Sequence, residues 1–134
     1  MVLVDAEGLP LGIDIAAANR NEAILIEPLL DKQILPERRI SRLIYDKAAD
    51  SDGLRRRLLA ERGIDLICPH RRIRNRKKTQ DGRKLRRYTK RWKVERSIAW
   101  LHNFRRLVVR WEYHAHLFQG FLQLACLFTI LRRF

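Results

Sequence analysis

RRYTKRWKVERSIAWLHNFRRLVVRWE, residues 86–112, sets polar and apolar side chains at helical spacing. At about 100° per residue on an α-helix, Tyr88, Arg91, Glu95 and His102 fall within an arc of about 60° and form one polar stripe. Val94, Ile98, Leu101 and Phe104 form an apolar stripe beside it. A single helix here would bury one face and carry its polar row along the rim of a cleft. Glu95 among bases at such a rim has two readings: a carboxylate paired on the surface of an amphipathic helix, or an acid placed for chemistry. The rest of the chain decides between them.

A length of 134 residues suffices for one domain with a real core. Lys and Arg number 29 against 15 Asp and Glu, and the net charge of +14 points to a polyanionic partner, nucleic acid first. An anionic membrane surface is the second candidate. The basic residues are spread beyond one helical face, however, and the longest chiefly apolar run, 117–131, is short and carries Gln119 and Gln123, so no membrane span is expected. The start, MVLVDAEGLP, has neither a basic leader nor a cleavage site, and two cysteines, Cys68 and Cys126, are too few for a disulfide framework. Both features fit a cytoplasmic location. A zinc site from Cys68, His70, His114 and His116 is disfavoured because their spacing matches no zinc motif.

Residues 2–5 and the run LGIDIAA flank a Gly-Pro turn in the pattern of a β-hairpin. NEAILIEPLLDK, 21–32, has helical periodicity, with Pro28 either kinking the helix or marking its first turn. RLIY, 42–45, is a short strand that delivers Asp46 at its carboxyl end, where ligands gather in sheets with helical crossovers. Asp46 is also a natural turn or N-cap residue beside Asp50, Ser51 and Asp52. Ser51 or Asp52 caps a helix through GLRRRLLAERG, with Leu54, Leu58 and Leu59 on one side and Gly63 as the stop. A buried strand, 64–68, follows. The fold class is therefore mixed α/β, with a strand, helix, strand crossover in the middle.

Residues 69–87 form a basic loop containing Arg71, Arg72, Arg74, Arg76, Lys77 and Lys78. Such a run is either a solvated loop or, beside a carboxylate cleft, an arm that holds phosphates and weakens its grip as salt rises. Residues 115–133 form a helix apolar nearly all round, to be sandwiched in the domain or docked on a partner. Trp92, Trp100 and Trp111 flank the basic face, where they pack or stack on bases.

Three segments, VLVDAEGLPLG, LIYDKAADSDGLRRRL and YTKRWKVERSIAWLHNFRRL, resemble in order and spacing the DDE transposases of bacterial insertion sequences, in the insertion-sequence-five group. The family's Tyr-x2-Arg-x3-Glu-x6-Lys signature falls on Tyr88, Arg91, Glu95 and His102. The resemblance implies a ribonuclease-H-like mixed sheet with flanking helices, and DNA cleavage and strand transfer with Mg²⁺ or Mn²⁺. Asp46 and Glu95 would be the second and third catalytic, metal-holding acids of a site whose two ions stand roughly 3.5 to 4 Å apart. Arg91 would face the scissile phosphate or orient the carboxylate, and Tyr88, His102 and the basic loop would contact DNA.

Departures from the family pattern stand beside the likeness. Ala49 occupies a usual Tyr position, and His102 a usual Lys position, where a neutral ring grips phosphate less well. The family's first acid stands on an earlier strand, so the fold is expected to be N-terminally truncated, with Asp5 the weak substitute for that acid. The expectation is a C-terminal catalytic portion, spanning 1–134, of a nucleoid-associated bacterial transposase. It would be a second reading frame or a remnant, partnered by DNA and by either further copies of itself or an upstream-frame product. Alone it should bind DNA without sequence preference and cleave slowly. The alternative is a non-catalytic, basic, nucleic-acid-binding remnant of the same fold.

Overall fold

Alternating Val2, Leu3 and Val4 start β1 (Val2–Val4), which pairs antiparallel with β2 (Pro10–Ile13) in the register Val2 to Ile13 and Leu3 to Gly12, with a bulge before Val4. The computed structural model describes residues 1–71 and 82–133. Asp5 shapes the hairpin loop: its Oδ1 accepts the Glu7 and Leu9 amides at 2.9 and 2.8 Å, and Gly8 takes φ 86°, a left-handed conformation natural to glycine. The described chain divides into two units. One holds Met1–Arg20, Leu25–Leu35 and Trp92–Phe134, and the other holds Asn21–Ile24 and Pro36–Arg91.

In the first unit, most of helix α1 (Glu22–Asp31) lies against the hairpin with Leu25, Ile26, Leu29 and Leu30 buried. Pro28 sits within this helix. Gly12 permits the approach, since a Cβ there would stand 3.3 Å from the Lys32 carbonyl. The core gathers Ile13, Leu101, Leu122, Ala125 and Cys126. The last three belong to α6 (Ala115–Leu131), which buries one stripe, Leu122, Ala125, Cys126 and Thr129. Leu117, Leu124, Leu127 and Leu131 on its other faces are about half exposed, so the described residues do not sandwich this helix. Thr129 is accommodated because its hydroxyl donates to the Ala125 carbonyl at 2.8 Å. No described helix is long and apolar enough to cross a membrane.

In the second unit, β3 (Arg42–Ile44) and β4 (Asp65–Ile67) pair in parallel, joined by α2 (Asp52–Arg62), which is the expected crossover. Ser51 caps α2 by accepting the Leu54 amide, and Gly63 ends it at φ 65°. Leu54 and Leu58 are buried, but Leu59 is 60% exposed and does not join them as expected. At 100° per residue it turns away from Leu58 onto the flank of the helix.

The one long helix expected over 86–112 is not formed. Short α3 (Gly82–Leu85) leads into a 3-10 segment, Arg86–Arg91, followed by α4 (Trp92–Leu101) and α5 (Arg105–Val108). Local hydrogen bonds explain the breaks. Thr89 Oγ1 donates back to the Arg86 carbonyl at 2.7 Å in the tighter turn, and the amides of Asn103 and Phe104 reach only three residues back, to Trp100 and Leu101, closing α4. Tyr88 and Arg91 thus lie on a three-residue-per-turn segment, and His102 lies just beyond the α4 end, so the four signature residues are not one α-helical stripe. The buried face is also rotated. Ser97 and Leu101 are buried, whereas Ile98 is 38% exposed.

Candidate active site

The second unit builds the surroundings of Asp46. The Tyr45 amide donates to the Ile67 carbonyl at 3.0 Å, extending the β3–β4 ladder one step, and the chain then turns into a 3-10 turn, Lys47–Ala49. Asp46 Oδ1 accepts the Ala48 amide at 2.7 Å, so Asp46 stands at a strand end and also caps the turn. Its Oδ2 faces Arg91 Nη2 at 3.7 Å, with both side chains more than a third exposed. At that distance the pair is a charge contact rather than a hydrogen bond, and solvent screens it. Tyr45 turns its hydroxyl to Glu22 Oε2 at 2.9 Å. Burial, then the Glu22 contact, raises the Tyr45 pKa far above the ordinary phenol range, so this hydroxyl stays a donor.

Below Asp46 lies a network that the sequence pattern did not single out. The Asp50 carboxylate, 4% exposed, is met at Oδ1 by Arg55 Nη1 at 2.8 Å and His70 Nδ1 at 2.9 Å, and at Oδ2 by the Arg71 amide at 2.8 Å. Burial alone would raise the Asp50 pKa, but the Arg71 amide, His70 and Arg55 outweigh it and hold the acid well below the usual carboxylate range. Arg55 also donates to the Cys68 carbonyl at 3.0 Å, tying α2 to the end of β4. The Arg71 guanidinium donates to the carbonyls of Lys47 and Ala48 at 3.1 and 3.0 Å. The first base of the basic run is therefore fastened to the turn that follows Asp46. Arg72, Arg74, Arg76, Lys77 and Lys78 lie outside the described residues.

Glu95 and His102 belong to the first unit, Glu95 exposed in the first turn of α4 and His102 exposed just after its last. α4 is fastened to the hairpin loop by three side chains on three successive carbonyls. Lys93 donates to Ala6, Arg96 to Glu7 at 2.6 Å and Ser97 to Gly8 at 2.5 Å. A Cβ on Gly8 would stand 3.1 Å from Ser97 Oγ, so this contact needs both the small helix residue and the glycine. Arg96 is held between Trp92 and Trp100, each ring centroid 4.7 Å from its guanidinium carbon, which gives these two tryptophans a packing role. The structure therefore brings Arg91 to Asp46, while α4, which carries Glu95, is fastened separately to the hairpin loop. The i, i+4 spacing of Lys93 and Ser97 was the only sequence signal for the clasp.

The sequence profile of the transposase DDE domain matches residues 1–130. This chain belongs to that family. A curated protein of Burkholderia cepacia, named as a transposase for insertion sequence element IS402, is 38% identical to it over 133 residues. The match takes in 93% of this chain and 58% of that relative, so the chain spans less than two thirds of the relative's length. No solved structure matches the chain significantly. The family likeness carried by the three sequence segments is confirmed, as is a mixed α/β fold.

Proposed function

We propose that residues 1–134 are the C-terminal catalytic portion of an insertion-sequence transposase, which cleaves DNA strands and transfers them with divalent metal. Asp46 and Glu95 supply two of its acids. The contact between Arg91 and Asp46 carries this reading. A signature residue 45 positions later in sequence meets the acid at the end of β3, the pairing expected of a site that binds a phosphate beside a carboxylate.

The donor chemistry fits a hard cation, since both acids offer carboxylate oxygens and Asp46 Oδ2 lies on an accessible side chain. Mg²⁺ or Mn²⁺ held by these acids would supply positive charge at the reacting phosphodiester. Among the described residues no three His, Cys, Asp or Glu side chains gather as a metal cluster, and in this reading the first acid comes from a strand outside residues 1–134. Asp5 serves less well in that role because its Oδ1 already holds two loop amides. In this reading the mixed α/β fold is of the ribonuclease-H-like class.

The chain's own residues bind and orient the DNA. Arg91 exchanges its screened contact with Asp46 for a strand phosphate, and Tyr88 and His102 contact the DNA backbone. Arg71 fixes the root of the basic run, whose remaining bases, Arg72, Arg74, Arg76, Lys77 and Lys78, track phosphates. Incubation with Mn²⁺ and DNA bearing the element's ends should give slow nicking at the 3′ ends, abolished by Asp46→Ala without loss of DNA binding. Nicking that survives Asp46→Ala would refute the reading.

A further inference from the structure

The turn between α5 and α6 covers its acid and leaves its largest rings outside. The Glu112 side chain is 6% exposed and accepts from Arg106 Nη1 at 2.9 Å. Arg110 closes the turn by donating to the carbonyls of Glu112 and Tyr113 at 2.9 and 3.3 Å. Trp111 is left 76% exposed and Tyr113 91% exposed. Rings of this size normally gain most by burial, and here the turn's own bonds hold them out. Their charge environment is one-sided. Arg105 is exposed nearby in the chain, and the only acid in the turn is neutralised by Arg106.

We propose that Trp111 and Tyr113 form a stacking platform for unpaired bases of a DNA strand, with the adjoining arginines meeting its phosphates. The proposal rests on the DNA-acting reading above and adds the surface and the form of DNA it takes. Planar rings set among cations suit a polyanion whose bases are free to stack. An intact duplex presents phosphates and base edges instead, so the rings gain little from it.

Fluorescence anisotropy of the full chain with a labelled single-stranded oligonucleotide, and with the matching duplex, both in EDTA, tests this without any cleavage. The Trp111→Ala/Tyr113→Ala double variant removes two largely solvent-facing side chains, and circular dichroism verifies that its fold is kept. Single-strand affinity should fall about tenfold or more, while duplex affinity changes less than about twofold and the salt dependence stays the same. Unchanged single-strand affinity, equal weakening of both forms, or a change of oligomeric state in the variant would overturn the platform. If duplex binding persists in those cases, the transposase reading stands without it. A wild-type chain that binds neither form would remove both.

Discussion

The two acids are positioned by opposite means. Around Asp46 the chain is fixed by charge: one carboxylate, Asp50, gathers Arg55, His70 and the Arg71 amide, and Arg71 in turn holds the turn that follows Asp46. Around Glu95 it is fixed by neutral carbonyls and shape, with Lys93, Arg96 and Ser97 closing on a glycine-containing loop. A hub of buried charge concentrates its stability in one residue, whereas a clasp spreads it over several contacts. The first should fail sharply on a single substitution, and the second by degrees.

Asp50→Ala should therefore have the largest effect on stability. It removes the carboxylate shared by Arg55, His70 and the Arg71 amide, leaving Arg55 with Asp52 at 3.2 Å, and should cost about 3 kcal/mol by urea denaturation. Loss of hydrogen-exchange protection should appear first in β3 and β4, and a cost below about 1 kcal/mol would show that the hub is not the fastening. The pH dependence sharpens the same contrast. The folded Asp50 pKa lies below its unfolded value near about 4, so its contribution is complete above that pH and is lost as pH falls toward the folded pKa. Wild type and Asp50→Asn should thus differ most near neutrality and converge on acidification. A gap that widens on acidification would contradict the assignment.

Gly8→Ala comes next, at about 2 kcal/mol, because a Cβ at φ 86° is strained and also meets Ser97 Oγ at 3.1 Å. Pairing it with Ser97→Ala in a double-mutant cycle should show coupling, since Ser97 Oγ, like Arg96 Nη2, is an atom the added Cβ meets at 3.1 Å. Additive losses would mean that the two residues act independently. Ser51→Ala is the smallest, about 1 kcal/mol for loss of the α2 cap, and thermal unfolding measures it.

What was legible in the sequence follows from how local the governing physics is. The hairpin, the Ser51 cap, the Gly63 stop and the parallel crossover are set by residues close in the chain, and all are present. The breaks in the helix over 86–112 are not legible, because apolar periodicity says nothing of where hydrogen bonds tighten a turn, as the Thr89 hydroxyl and the Asn103 amide do. Ile98 was placed inward by its hydrophobicity, yet Ser97 takes the buried position because its small hydroxyl reaches the Gly8 carbonyl. Asp50 read as one of several loop acids, since its partners lie 5, 20 and 21 residues away. Asp46 was legible because strand ends and motif spacing are both sequence features, whereas its contact with Arg91 required the fold.

In the proposed function Asp46 and Glu95, on elements fastened by different devices, serve one reaction. Initial rates of Mn²⁺-dependent nicking for wild type, Asp46→Asn, Glu95→Gln and the double variant test it most directly, with DNA affinity measured in parallel. Each single substitution should lower the rate by about a thousandfold or more with DNA affinity kept, and the double variant should fall no further, because the acids act as a unit. Wild-type nicking in either single variant, or losses that multiply in the double, would contradict it.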